Sequence, residues 1–142
     1  MCRLVSIKSN DGQCIEVADI KKSYIENIIS SASKCKQIHA VILFGSALEE
    51  RCTEKSDIDI AIISKYTVDK LSGIKSYSRF VNEIYEMDLA QEYDKLYFKS
   101  LEEIEEQKED AHICKELVQK GKVIYRNSML LQSVSHLSGI NY

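Results

Sequence analysis

A chain of 142 residues, 44% of them apolar, fits one domain around one enclosed core and leaves no room for two full domains. Its 29% charged residues and net charge of −3 exclude a disordered polyelectrolyte. They also exclude a general electrostatic grip on nucleic acid, which needs clustered Lys and Arg on one face.

The five cysteines, Cys2, Cys14, Cys35, Cys52 and Cys114, form no C-x-x-C pair and are odd in number, so neither a zinc ribbon nor a disulfide framework is expected. Reduced thiols in a cytosol are the expectation. No apolar stretch approaches the roughly 20 residues that span a bilayer, and Met1 to Asn10 lacks the apolar region of a signal peptide. The expected setting is therefore soluble and cytoplasmic, with no membrane partner.

In chain order, Leu4 to Lys8 alternates, Asn10-Asp11-Gly12 supplies a tight turn, and Cys14 to Val17 returns, which predicts an N-terminal hairpin over 1–17. From Asp19, a plausible N-cap, Ile20, Tyr24, Ile28, Ala32 and Cys35 recur at helical spacing. Ile38 to Phe44 is a short apolar run closed by Gly45, the pattern of a buried strand, and Asp57 to Ile63 is a second. Leu71, Ile74, Tyr77, Val81 and Ile84 mark one face of a helix over 67–85, capped by Thr67. Met87 to Tyr93 reads as a third strand and Leu101 to Gln119 as an acidic amphipathic helix. Gly121 reads as its C-cap, before a short strand at Val123 to Tyr125. The expected organisation is a single domain over 1–142, with the tail from 127 to 142 left unassigned.

The chemistry concentrates in Phe44-Gly45-Ser46, ten intervening residues, then Asp57-Ile58-Asp59. A strand that ends in Gly-Ser and turns into a short helix exposes backbone N–H groups, where the helix dipole favours a phosphate. Gly45 lets the backbone approach, and Ser46 adds a hydroxyl. Strand alternation puts Asp57 and Asp59 on one face, about 6.6 Å apart along the chain, while Ile58, Ile60 and Ile62 face the core. Like charges so placed repel, and magnesium, with its preference for carboxylate and phosphate oxygens, neutralises them. Asp88 is the chosen third carboxylate, on the expectation that a neighbouring strand presents it beside the pair, with Asp94 close by as the alternative if the register slips.

With Gly45-Ser46, the ten-residue gap, the Ser56-Asp57-Ile58-Asp59 segment and a later strand aspartate, the chain resembles the minimal nucleotidyltransferases of the DNA polymerase beta superfamily. The resemblance covers approximately residues 20 to 126. It implies an α/β (α+β) fold, a mixed β-sheet backed by helices, to which the N-terminal β-hairpin is added. It also implies two magnesium ions on Asp57, Asp59 and Asp88, with Asp88 as base, and a nucleoside triphosphate, in the first instance ATP, on Gly45 and Ser46, beside Ser56. Members often carry an Arg two residues after the glycine and a further glycine in the next turn. Here those places hold Ala47 and Glu50, so Arg51, Lys55 or another chain is left to complete the phosphate grip.

The expected reaction is transfer of a nucleoside monophosphate to an acceptor hydroxyl. Members of the group frequently pair with HEPN-type toxins, which implies an antitoxin that adds AMP to its partner. The alternative is a catalytically weak module that regulates a partner by contact, and a homo-oligomer is left open. Other chemistries fall away. His39, His112 and His136 lack metal-ligand spacing, Ser46 is not in a G-x-S-x-G elbow, and the glycines form neither a Walker loop nor a dinucleotide fingerprint. The acidic run Glu102 to Glu106 reads as a solvated helix face, and Tyr77, Tyr85, Tyr93, Tyr97 and Tyr125 as packing residues.

Overall fold

The computed structural model describes residues 2–127. Alternating residues form the antiparallel pair β1 (Leu4–Lys8) and β2 (Cys14–Ala18). In their turn only Gly12 takes a positive φ, of 88°. Asn10 instead exchanges hydrogen bonds with the backbone of Arg126, its Nδ2 donating to the carbonyl at 2.6 Å and its Oδ1 accepting from the amide at 2.8 Å. The hairpin is thereby fastened to the end of the last strand among the described residues.

A 3-10 turn at Asp19–Lys21 leads into α1 (Lys22–Ala32). Asp19 is not the cap expected of it: its Oδ1 accepts from the Arg3 amide and ties the helix start to the hairpin. The sheet proper has the order β5-β4-β3-β6. Its strands are β3 (Ala40–Phe44), β4 (Ile58–Ile63), β5 (Tyr93–Phe98) and β6 (Lys122–Arg126). β3 runs antiparallel to β4 and β6, and β4 runs parallel to β5. That parallel pair requires a crossover, supplied by α2 (Val68–Ser72) and α3 (Lys75–Glu86). After β5, α4 (Leu101–Glu106) and α5 (His112–Lys120) carry the chain over the other face to β6.

Two apolar layers follow from the period of two along each strand. On one face Val41, Leu43, Ile58, Ile60, Ile62 and Ile124 pack with Ile25, Ile28, Phe80 and Ile84 of α1 and α3, and the hairpin residues Ile7, Ile15 and Val17 join them. On the other, Ala40, Ile42, Ala61, Ile63 and Val123 meet Leu101, Ile104, Cys114 and Leu117 of α4 and α5. Gly121 allows this second closure, because a Cβ there would lie 2.5 Å from the Leu117 carbonyl oxygen and 2.8 Å from Ile42. It is the C-cap of α5 as expected, its amide donating to the Leu117 carbonyl, with extended backbone at a φ of −64°.

Three predicted elements are corrected. The helix over 67–85 breaks at Gly73, although Thr67 caps its first half as expected, accepting from the Lys70 amide at 3.3 Å. The helix over 101–119 breaks across 107–111, a polar stretch with no apolar residue until Ala111 to hold it on the sheet. The strand expected at Met87 to Tyr93 begins only at Tyr93 and runs to Phe98, while 87–92 form a turn and its exit. Of the unassigned tail, all but Asn127 lies outside the described residues.

Ile60 has no exposure and contributes to the layer under α1 and α3. Ile60→Ala is expected to lower unfolding free energy by about 2–5 kcal/mol, measured by urea denaturation, because the lost transfer energy is joined by a cavity.

Candidate active site

The four strands bring one end of the sheet to bear on a single region. Gly45 follows β3 directly, Asp59 is the second residue of β4, and Asp94 the second of β5. Asp59 is in register with Phe44 on one side and with Asp94 on the other. Asp59 therefore lies between the Gly45 turn and the Asp94 carboxylate, on the sheet face that α4 and α5 cover.

The Gly45 turn is a single 3-10 turn over Gly45–Leu48, with the Glu49 amide donating to the Ser46 carbonyl at 2.9 Å. It is shorter than the helix start expected from the sequence, so any phosphate affinity rests on individual amides rather than on an accumulated helix dipole. Gly45 has a φ of 77°, and a Cβ placed there would sit 2.2 Å from Asp59 Oδ2. Glycine is required twice, for the left-handed backbone and for the approach of a carboxylate. Ala47 is fully buried in the core, so a side chain at this position faces inward.

Asp59 is partly buried, and its pKa is pushed up to about 6. Burial is the largest cause, followed by a hydrogen bond with Asp94 and the charges of Asp94, Asp57 and Glu116. Each of these makes ionising Asp59 more costly than ionising a free aspartate. Asp57, just outside β4, is exposed and free to turn toward the same region.

The placement of Asp88 is corrected. It lies in the turn before β5, where its Oδ2 accepts from the Tyr24 hydroxyl at 2.8 Å and its Oδ1 from the Ala90 amide at 2.9 Å. These bonds hold its pKa below the usual aspartate value. The physical reason is register: with β5 starting at Tyr93, Asp94 and not Asp88 is the residue opposite Asp59. The alternation of Tyr93, Lys95 and Tyr97 with Asp94, Leu96 and Phe98 was the available signal, and it competed with the apolar Met87 and Leu89.

Of the other predicted residues, Ser56 fastens the loop before β4, its Oγ accepting from the Thr53 amide at 2.9 Å. Arg51 is exposed and paired with Glu49 at 2.9 Å, and Lys55 is exposed. Ser46 is partly buried in the Gly45 turn. A cavity of about 560 Å³ opens beside Gly45, between the hairpin and the junction of α5 with β6, with Leu48, Glu49, Glu116, Lys120 and Lys122 on its walls.

Among the described residues, no group of three His, Cys, Asp or Glu is closed tightly enough to form a ready metal cage. The donor set nevertheless fits a hard divalent cation, because Asp59 and Asp94 stand opposite each other on adjacent strands and supply carboxylate oxygens whose mutual repulsion a cation would relieve. Asp59, Asp94 and, after a side-chain turn, Asp57 are the residues that could hold it.

The Asp59 proton has a consequence for stability. The folded state keeps it up to about pH 6, whereas an unfolded aspartate releases it near 3.8. Stability from this group is thus highest below the unfolded value and falls as pH rises through that window. Without divalent metal, Asp59→Asn is expected to melt above the unsubstituted protein at pH 7, with the gap closing by about pH 4 in thermal melts. Gly45→Ala, by contrast, is expected to destabilise at every pH.

The sequence profile of the family described as Polymerase beta, Nucleotidyltransferase matches residues 26–129. No curated protein matches the chain. Among solved structures, the chain is similar to a mutant of the toxin-antitoxin MntA-HpeT, with 18% identity and a TM-score of 0.49 over 80% of this chain and 84% of that one. It is similar also to a toxin-antitoxin with AMP-PNP, with 20% identity and a TM-score of 0.49 over the same shares. The profile match takes in all four strands of the sheet and the Gly45, Asp59 and Asp94 positions, and the chain belongs to the polymerase beta nucleotidyltransferase family.

Proposed function

We propose that this domain transfers a nucleoside monophosphate from a nucleoside triphosphate, in the first instance ATP, to an acceptor hydroxyl, using Asp57, Asp59 and Asp94. The observation that carries this reading is the parallel register of Asp59 with Asp94 beside a glycine turn that only a glycine can make.

In the reaction the acceptor oxygen attacks the α-phosphorus, the bond from that phosphorus to the α,β-bridging oxygen breaks, and pyrophosphate leaves. The amides of the Gly45 turn and the Ser46 hydroxyl hold the phosphates beside Asp59. Asp57, Asp59 and Asp94 would hold magnesium, which supplies charge neutralisation for the triphosphate and the transition state when bound. Asp94, exposed at the edge of the group, is placed to take the acceptor's proton. Asp88, engaged by Tyr24 and Ala90, has no part in these steps. Lys120 and Lys122 line the cavity beside Gly45, and Arg51, though paired with Glu49, lies within electrostatic reach of Asp59.

The acceptor we favour is a protein partner of the HEPN type, which makes the chain an antitoxin acting in the cytoplasm. What supports this reading is the family to which the chain belongs and the likeness of Gly45-Ser46 and Ser56-Asp57-Ile58-Asp59 to the pattern of the minimal nucleotidyltransferases. A second reading, a module that restrains its partner by contact alone, draws on the inward Ala47 and the Arg51 held by Glu49, both of which thin the phosphate grip.

Incubation with labelled ATP, magnesium and the candidate partner distinguishes the readings. Asp57→Ala, Asp59→Ala and Asp94→Ala are each expected to lower label transfer by about 10³-fold or more, with little further loss in the double variants. Asp88→Ala is expected to keep activity within a few-fold. An unlabelled partner that nevertheless stays bound and inhibited would favour the contact module, and full activity in Asp94→Ala would end the assignment made here.

A further inference from the structure

The side chain of Lys21 is charged and yet almost without exposure, at 1%. It comes from the turn before α1, yet its Nζ donates to the Glu54 carbonyl at 3.1 Å and to Gln91 Oε1 at 2.6 Å. Gln91, itself 5% exposed, turns its Nε2 to the carbonyls of Ser56 at 3.1 Å and Glu92 at 2.8 Å. The Glu92 carbonyl also accepts from the Ile58 amide at 3.0 Å. Asp57 therefore sits between two fastened residues, Ser56 on Gln91 and Ile58 on Glu92, and Asp94 follows the same strap by two residues.

The Lys21 ammonium also lies 5.8 Å from the centre of the Tyr24 ring and within electrostatic reach of Asp88, but its hydrogen bonds go to neutral oxygens, and an apolar side chain of the same volume would avoid the desolvation. The effect of Lys21 is instead geometric. Three segments remote in sequence, 21, 54–56 and 91–92, are drawn to one point, and two of them carry the backbone from which Asp57 and Asp94 project.

We propose that Lys21, acting through Gln91, is a positioning residue that holds the backbone entering β4 and β5, from which Asp57 and Asp94 project, in place for a divalent cation. This rests on the metal-binding reading of the site given above. Without the strap the β4 and β5 entrances keep their ladder, but the Asp57 backbone loses its anchor on the Ser56 side.

Two variants test it. Lys21→Met removes the ammonium and keeps the stem, whereas Gln91→Glu keeps an acceptor for Lys21 and removes the donor to Ser56 and Glu92, so a folding failure of the first leaves the second informative. Amide exchange by mass spectrometry is expected to rise about tenfold or more in peptides covering 54–58, with α3 and β6 unchanged. The Mn²⁺ dissociation constant from calorimetry is expected to rise about tenfold or more. Folded variants that bind Mn²⁺ like the parent, or exchange raised evenly along the chain, would overturn the proposal. A parent protein that binds no Mn²⁺ would instead overturn the metal reading, and exchange over 54–58 would still decide whether the strap holds that segment.

Discussion

The site depends on Asp59, a carboxylate pressed between a glycine and a second acid. Gly45 leaves no space for a Cβ against Asp59 Oδ2, and the parallel register of β4 with β5 sets Asp94 on the other side. Burial and the neighbouring charges raise the Asp59 pKa, so the chain holds that proton to a higher pH than a free aspartate does. The same crowding that destabilises the ionised group is what would give a divalent cation its hold. Stability and metal affinity are here opposite readings of one arrangement.

The layers around this cluster have distinct tasks. Ile58, Ile60 and Ile62 anchor β4 from beneath, so that Asp59 between them must face α4 and α5. Glu116 of α5 adds to the field on Asp59, and Lys120, one turn further along, faces Glu49 beside the cavity. The hairpin, outside the span that matches the family, is not a loose addition. It places Ile7, Ile15 and Val17 in the core and lends Leu4, Ile15 and Glu16 to the cavity wall beside Gly45.

Near the Gly45 turn, two positions offer little positive charge to a phosphate. Ala47 is enclosed by the core, where an Arg would have to leave its charge without water, and Arg51 is occupied by Glu49. The residues that flank Asp57 are held from behind, by a lysine and a glutamine that no motif contains. Such a division, with the reacting groups in a short motif and their orientation controlled elsewhere, is general for sites that need carboxylates at set spacing.

What could be read from the sequence was local. Gly45-Ser46, the gap and the alternation of acids with isoleucines identified the turn, β4 and its two faces, because a strand's side-chain direction is decided by its own period. The alternating hairpin and the helical stripe of α1 were legible for the same reason. Which aspartate completes the cluster was not, since Asp88 and Asp94 both stand near a short strand and only pairing with β4 selects between them. The helix breaks at Gly73 and across 107–111, the inward Ala47 and the strap from Lys21 to Gln91 were likewise settled by tertiary packing. Each joins residues far apart in the chain, and periodicity along a single segment carries no record of what will lie across from it.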